Sequence, residues 1–106
     1  MDELKLFKLL SDKNRYHIFM MLLIDTYCVC DIEQFLEMKQ ANVSKHLAQF
    51  KALDLVETFQ KNKWVHYKLS TQAFRNLKYL ITYIKKSKAF KHLELELTDF
   101  TKNKCN

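Results

Sequence analysis

The chain of 106 residues contains no glycine and no proline. Without glycine there is no phosphate-cradling loop and no dinucleotide fingerprint, and without proline there is no polyproline segment. Most nucleotide-handling enzymes are excluded on that ground. Every turn has to be made by Asn, Asp, Lys or Ser, so a mainly helical organisation is expected. Long apolar runs are missing as well, because the longest, residues 18–24, falls far short of the roughly 20 residues that a bilayer crossing needs. The opening residues lack the basic, apolar and small-residue succession of a secretory signal. A cytoplasmic location with no membrane partner is expected. There, three cysteines (Cys28, Cys30 and Cys105) point to metal or redox chemistry rather than to a disulfide framework.

What is present suits one compact domain: 48% apolar residues, 28% charged residues and a net charge of +6. Residues 1–38 hold four Lys/Arg against seven Asp/Glu, residues 39–68 six against two, and residues 69–106 eight against three. The middle block is where a polyanion would dock, since phosphates supply much of the affinity of nucleic-acid binding. Because 16 of the 18 basic residues are Lys, a common solubilising residue, net charge alone decides little.

Leu4, Phe7 and Leu10 predict a helix over residues 2–10, broken by Ser11 and Asp12, and residues 13–24 a second helix with a wide apolar surface. Residues 27–30 are short and β-prone. Asp31 is expected to cap a third helix from about residue 32 to Met38, with Gln34 as capping-box partner. After a turn at Lys39, a fourth helix turns Val43, Leu47 and Phe50 inward, at i, i+4 and i+7. It leaves Gln40, Asn42, Ser44, Lys45, His46 and Gln49 towards solvent. Amides, lysine, serine and histidine on one helix face are the inventory that reads base edges and phosphates in a major groove.

Two runs of period-two alternation, residues 55–60 and 64–69, flank Lys61, Asn62 and Lys63, which predicts a β-hairpin with a basic tip. Helix, turn, helix and basic-tipped hairpin make a mainly α winged helix-turn-helix, with double-stranded DNA as partner and the wing lysines reaching phosphate or the minor groove. Over residues 72–97, Phe74, Leu77, Leu80, Ile81 and Ile84, then Phe90, Leu93 and Leu97, predict one long helix or two. That apolar face exceeds what so small a domain can cover, so a homodimer through the first and last helices is expected. Residues 1–97 are thus read as a single DNA-binding and dimerisation domain. Residues 98–106, without periodicity, are read as a flexible tail.

Three motifs carry a family resemblance. Cys28-Val29-Cys30-Asp31, Val43-Ser44-Lys45-His46-Leu47 and residues 63–70 resemble the metal box, recognition helix and wing strand of the arsenic-repressor (ArsR) family, over roughly residues 4–85. The resemblance implies a dimeric transcriptional repressor that holds its operator when empty and releases it when a thiophilic ion binds the cysteines. Glu33 stands where many members carry a third cysteine, Lys39 where a serine usually caps the recognition helix, leaving Asn42 as the alternative cap. Asp54 and Asn62 stand at common glycine positions, and both residue types enter left-handed conformations. Residues 70–91 hold no Asp, Glu or His, so no last-helix metal site is expected.

Cysteines at i and i+2 share one side of an extended segment but lie about 200° apart on a helix, so joint ligation requires Cys28 to precede the third helix. The helix N-terminus is expected to lower the thiol pKa, and soft thiolates select As(III) or Sb(III), or a soft metal such as Cd(II) or Pb(II). Cys105 is the remaining thiol and the candidate third metal ligand beside Cys28 and Cys30. No organic cofactor is implied, and no nucleophile, base and acid constellation stands out, so no enzyme is expected. The alternative from another class is a thiol redox or persulfide switch joining Cys28 or Cys30 to Cys105.

Overall fold

The computed structural model describes residues 2–101, without the side chain of Thr101. Helix α1 (Glu3–Leu10) is capped by Asp2, whose carboxylate accepts the Leu4 and Lys5 N–H groups. Helix α2 (Lys13–Ile24) is capped by Asp12, which accepts from Arg15 N–H. Residues 18–23 of α2 are all buried, as a helix hydrophobic all round must be, and α2 is the centre of the molecule. Its Phe19 ring stacks on Phe50 of α4 (Gln40–Ala52), with centroids 6.4 Å apart.

Between them lie strand β1 (Tyr27–Cys28) and helix α3 (Val29–Leu36). The helix starts three residues earlier than its polar residues suggest. Its N-cap is Cys28, not Asp31, and the capping-box partner is Asp31, not Gln34. The reason is tertiary: β1 pairs with β3, so the chain leaves the sheet at Cys28 and can turn helical at once. At the other end Glu37 takes a left-handed conformation, φ 53°, and closes α3 before α4. Helix α4 buries Val43, Leu47 and Phe50 as expected. Its N-cap is Lys39, with no side-chain cap bond, and Asn42 lies inside the helix rather than capping it.

Strands β2 (Val56–Lys61) and β3 (Trp64–Leu69) form the predicted hairpin, turning at Asn62 with φ 58°. Asp54, at φ 56°, leads into β2, and its carbonyl accepts the Ser70 hydroxyl at 2.7 Å, which fixes the base of the hairpin. β1 adds to the far side of β3, giving an antiparallel sheet of order β1-β3-β2 with Cys28 opposite His66. The architecture is a winged helix-turn-helix.

The last third is three helices, α5 (Thr71–Asn76), α6 (Lys78–Lys85) and α7 (Lys88–Thr101), rather than one or two. Ser87 accepts the Phe90 N–H and starts α7 afresh. Phe90, Leu93 and Leu97 are buried within the chain's own core. Helix α7 also runs past residue 97, into the stretch whose lack of periodicity predicts a tail. Phe100 meets Phe35 of α3 edge to face, centroids 5.1 Å apart, and continues the apolar spacing. Among the described residues no helix is long and apolar enough to cross a membrane.

Candidate metal site and nucleic-acid interface

The two cysteines are placed by the junction of β1 and α3. Cys28 is extended (φ −84°, ψ 168°) and precedes the helix, the condition for joint ligation, while Cys30 sits in the first turn. Their sulfurs lie 2.7 Å apart, and neither cysteine is in a disulfide. Asp31 and Cys28 cap one another: Cys28 N–H donates to Asp31 Oδ2 at 3.2 Å, and Asp31 N–H donates to Cys28 Sγ at 3.3 Å. The donor atoms of Cys28, Cys30 and Asp31 fall within 4.8 Å of one another, which makes a soft sulfur pair with one carboxylate oxygen, and among the described residues no other such group of three occurs. That set fits thiophilic and borderline cations.

Sequence alone marks Asp31 as a helix cap only. The signal for more is its place directly after the second cysteine, where a first-turn carboxylate faces the preceding N-cap. The expected depression of the thiol pKa does not hold for Cys28. Burial pushes its thiol above the usual value, and the hydrogen bonds from Cys30 and from the Asp31 N–H only oppose this in part. Cys105 lies outside the described residues.

The candidate DNA-contacting residues lie on two elements. Gln40, Asn42, Ser44, Lys45 and Gln49 are exposed on α4, His46 is half-buried beside them, and Lys61, Asn62 and Lys63 are exposed at the hairpin tip. Gln49 has a partner within the chain: its Oε1 accepts from Arg15 Nη1 at 3.3 Å, and His46 Nδ1 stands 3.4 Å away. Periodicity does not single out Arg15. It is one of only two arginines in a lysine-rich chain, a signal that a fork of planar donors is wanted there.

Among the described residues the three-residue donor group includes no histidine, although His66 is the β3 residue paired with Cys28. His17 Nδ1 lies 2.9 Å from the Lys13 carbonyl, His92 meets Glu96 at 3.4 Å, and buried His66 stacks on Phe59 with centroids 5.5 Å apart.

A helix-turn-helix with a wing and a thiol pair at the mouth of its first helix defines the winged helix-turn-helix class, here with a candidate metal site. Residues 12–58 match the family model described as bacterial regulatory protein, arsR family. It is 38% identical over 68 residues to the arsenical resistance operon repressor of Escherichia coli (strain K12), covering 63% of this chain and 58% of that protein. It is 35% identical over 78 residues to a cadmium resistance transcriptional regulatory protein, a CadC homolog of Staphylococcus aureus, covering 73% and 64%. The matched stretch thus spans about three fifths of the length of these two relatives. Among solved structures, HlyU from Vibrio cholerae N16961 superposes with a TM-score of 0.66 at 29% identity, covering 79% of this chain and 88% of that one.

Proposed function

We propose that the chain is a DNA-binding transcriptional repressor that leaves its operator when a soft metalloid or metal ion binds Cys28 and Cys30. The observation that carries this reading is the dual employment of Cys28. Its sulfur accepts the Asp31 N–H that opens α3 and stands beside the Cys30 sulfur. When Cys28 and Cys30 turn their lone pairs to a common ion, Cys28 gives up that capping role and the first turn of α3 loosens. Helix α3 packs on α4 through the short turn at Glu37, so the displacement reaches the helix whose polar face reads DNA. In a dimer, a small change in the separation of two reading helices breaks register with half-sites one DNA turn apart.

As(III), Sb(III), Cd(II) and Pb(II) are the inducers this donor set favours, in line with the arsenical and cadmium resistance in the names of the two relatives. Asp31 is within reach as a third, oxygen donor. Cys105 is the third thiol donor available: Phe100 packs on Phe35, five residues along α3 from Cys30, and five residues of extended chain span about 17 Å. For homodimerisation, the large apolar side chains left exposed include Leu4 and Phe7 on α1 and Tyr79 and Tyr83 on α6, and these are the surface offered to a second copy.

The test is fluorescence anisotropy of the reduced protein on DNA from upstream of its own gene, titrated with arsenite, antimonite, cadmium, lead and zinc, for the wild type and for Cys105→Ser. Stoichiometric release by arsenite that Cys105→Ser weakens supports a three-sulfur site. Release by cadmium that Cys105→Ser leaves unchanged supports the Cys28, Cys30 and Asp31 set. DNA binding indifferent to all five ions defeats the proposal.

A further inference from the structure

A cleft of about 300 Å³ opens between α1 and the C-terminal half of α4, walled by Lys5, Lys8, Leu9, Arg15, Gln49 and Leu53 among others. Three of its walls are cationic, and it is continuous with the exposed polar face of α4, since Gln49 belongs to both.

Arg15 builds the floor. Its Nε donates to the Leu9 carbonyl at 2.6 Å and Nη2 to the Lys8 carbonyl at 3.3 Å, so it ties up the open C-terminal end of α1. Nη1 reaches Gln49 on α4 at 3.3 Å. Three of the five N–H groups of the guanidinium are thereby used, and two are left for a ligand. Among the described residues neither Lys5 nor Lys8 has an ion-pair partner. Of the acids near in sequence, Asp12 is engaged as the α2 cap through Arg15 N–H, Asp2 caps α1 through the Leu4 and Lys5 N–H groups, and Glu3 makes no ion pair with either lysine.

The faces of α1 are sorted by the 100° step of the helix. Leu6 and Leu9 point to the core, and Leu4 and Phe7 are exposed on another side. Lys5 and Lys8, three residues apart, share a third side that faces the cleft. A second copy seated on Leu4 and Phe7 therefore leaves the lysines open. Their aliphatic stems with Leu9 and Leu53 give the cleft apolar walls under a cationic rim, the form lysines take when they reach from a protein surface towards a phosphate.

We infer that Lys5, Lys8 and Arg15 bind backbone phosphates of duplex DNA flanking the groove that α4 enters, extending the interface onto α1. The inference rests on the DNA-binding function proposed for α4 and adds to it a sequence-independent anchor beside the base-reading face. Such interactions fix orientation and supply salt-dependent affinity without specifying bases.

The experiment is anisotropy of the full chain on the same upstream duplex between low and moderate potassium chloride, read as the slope of log affinity against log salt. Wild type is compared with Lys5→Ala/Lys8→Ala and with Lys88→Ala/Lys91→Ala, an exposed pair on α7. Removing one phosphate-neutralising lysine lowers the slope by about 0.9, so the first variant should fall by about two units while the second keeps the wild-type slope. A first variant with the wild-type slope, or a second variant that falls as much as the first, overturns the inference. A wild type that binds no duplex at any salt overturns the DNA-binding function itself, and the two failures are thus told apart.

Discussion

Cys28 and Asp31 hold one another across the first turn of α3: the Cys28 N–H donates to the Asp31 carboxylate at 3.2 Å, and the Asp31 N–H donates to the Cys28 sulfur at 3.3 Å. A residue that caps a helix and offers a ligand atom with the same sulfur separates stability from sensing by choice of substitution. Cys28→Ser supplies a better capping oxygen and should keep the fold at full stability, whereas Cys28→Ala should cost about 1 kcal/mol in urea unfolding followed by circular dichroism. If Cys28→Ala unfolds at the wild-type urea concentration, the capping role assigned to the sulfur is wrong.

Cys28→Ser/Cys30→Ser should bind operator DNA with unaltered affinity and ignore every ion that releases the wild type. The reason is that both sulfurs leave while the α3 cap and the polar face of α4 remain. Loss of DNA binding in the ion-free double variant would tie the cysteines to structure rather than to sensing. Anisotropy with and without arsenite or cadmium decides it.

Asp12 caps α2, and the Arg15 backbone N–H holds its carboxyl below the ordinary carboxylate range, while partial desolvation opposes this and the nearby Arg15 and His46 side chains add to it. A carboxyl lowered in the folded state stabilises the fold above its unfolded-state pKa, and that contribution disappears as pH falls through the folded value. Wild type should therefore lose the increment below about pH 4, while Asp12→Asn keeps a cap without that pH dependence. Asp12→Ala should cost about 1 kcal/mol at neutral pH and nothing further in acid. Unfolding midpoints at neutral pH and at about pH 3 compare the three.

Two positions on either side of the helix-turn-helix junction carry residues that the backbone does not favour. Glu37 closes α3 in a left-handed conformation at φ 53°, where a side chain costs energy and glycine does not. Glu37→Gly should stabilise by about 1 kcal/mol, and Glu37→Ala should not.

Lys39 is the N-cap of α4 and makes no side-chain cap bond. Lys39→Ser should add about 1 kcal/mol by satisfying one open N–H of the first turn. Denaturant unfolding of each variant checks both expectations, and an unchanged midpoint in either removes the cause assigned to it.

Periodicity alone settled which residues make helices and which make strands for most of the chain. It identified the buried stripe of Val43, Leu47 and Phe50 and the exposed polar face beside it. It also gave the hairpin about Asn62, and helix geometry gave the need for Cys28 to precede the third helix. The left-handed turn at Asn62 was legible from the hairpin pattern, and that at Asp54 from its place at a common glycine position of the family the chain resembles, since both residue types enter that region at low cost. Each of these is a local property, decided by a residue and its neighbours within a turn or two.

What tertiary structure decided is what each apolar face meets. The sequence marks residues 27–30 as β-prone without naming a partner, and β1 forms because Tyr27 and Cys28 find Tyr67 and His66 about forty positions away. That pairing moved the start of α3 back to Val29 and turned Asp31 from the expected N-cap into the capping-box partner of Cys28, beside two sulfurs. Burial then pushed the Cys28 thiol up against the pull of the helix end. The spacing of Phe90, Leu93 and Leu97 showed an apolar stripe without saying that the core of the same chain covers it, nor that Phe100 extends it onto Phe35. A hydrophobic stripe in sequence reports that a surface must be covered. Which surface covers it depends on packing between residues far apart in the chain, and no local spacing encodes that.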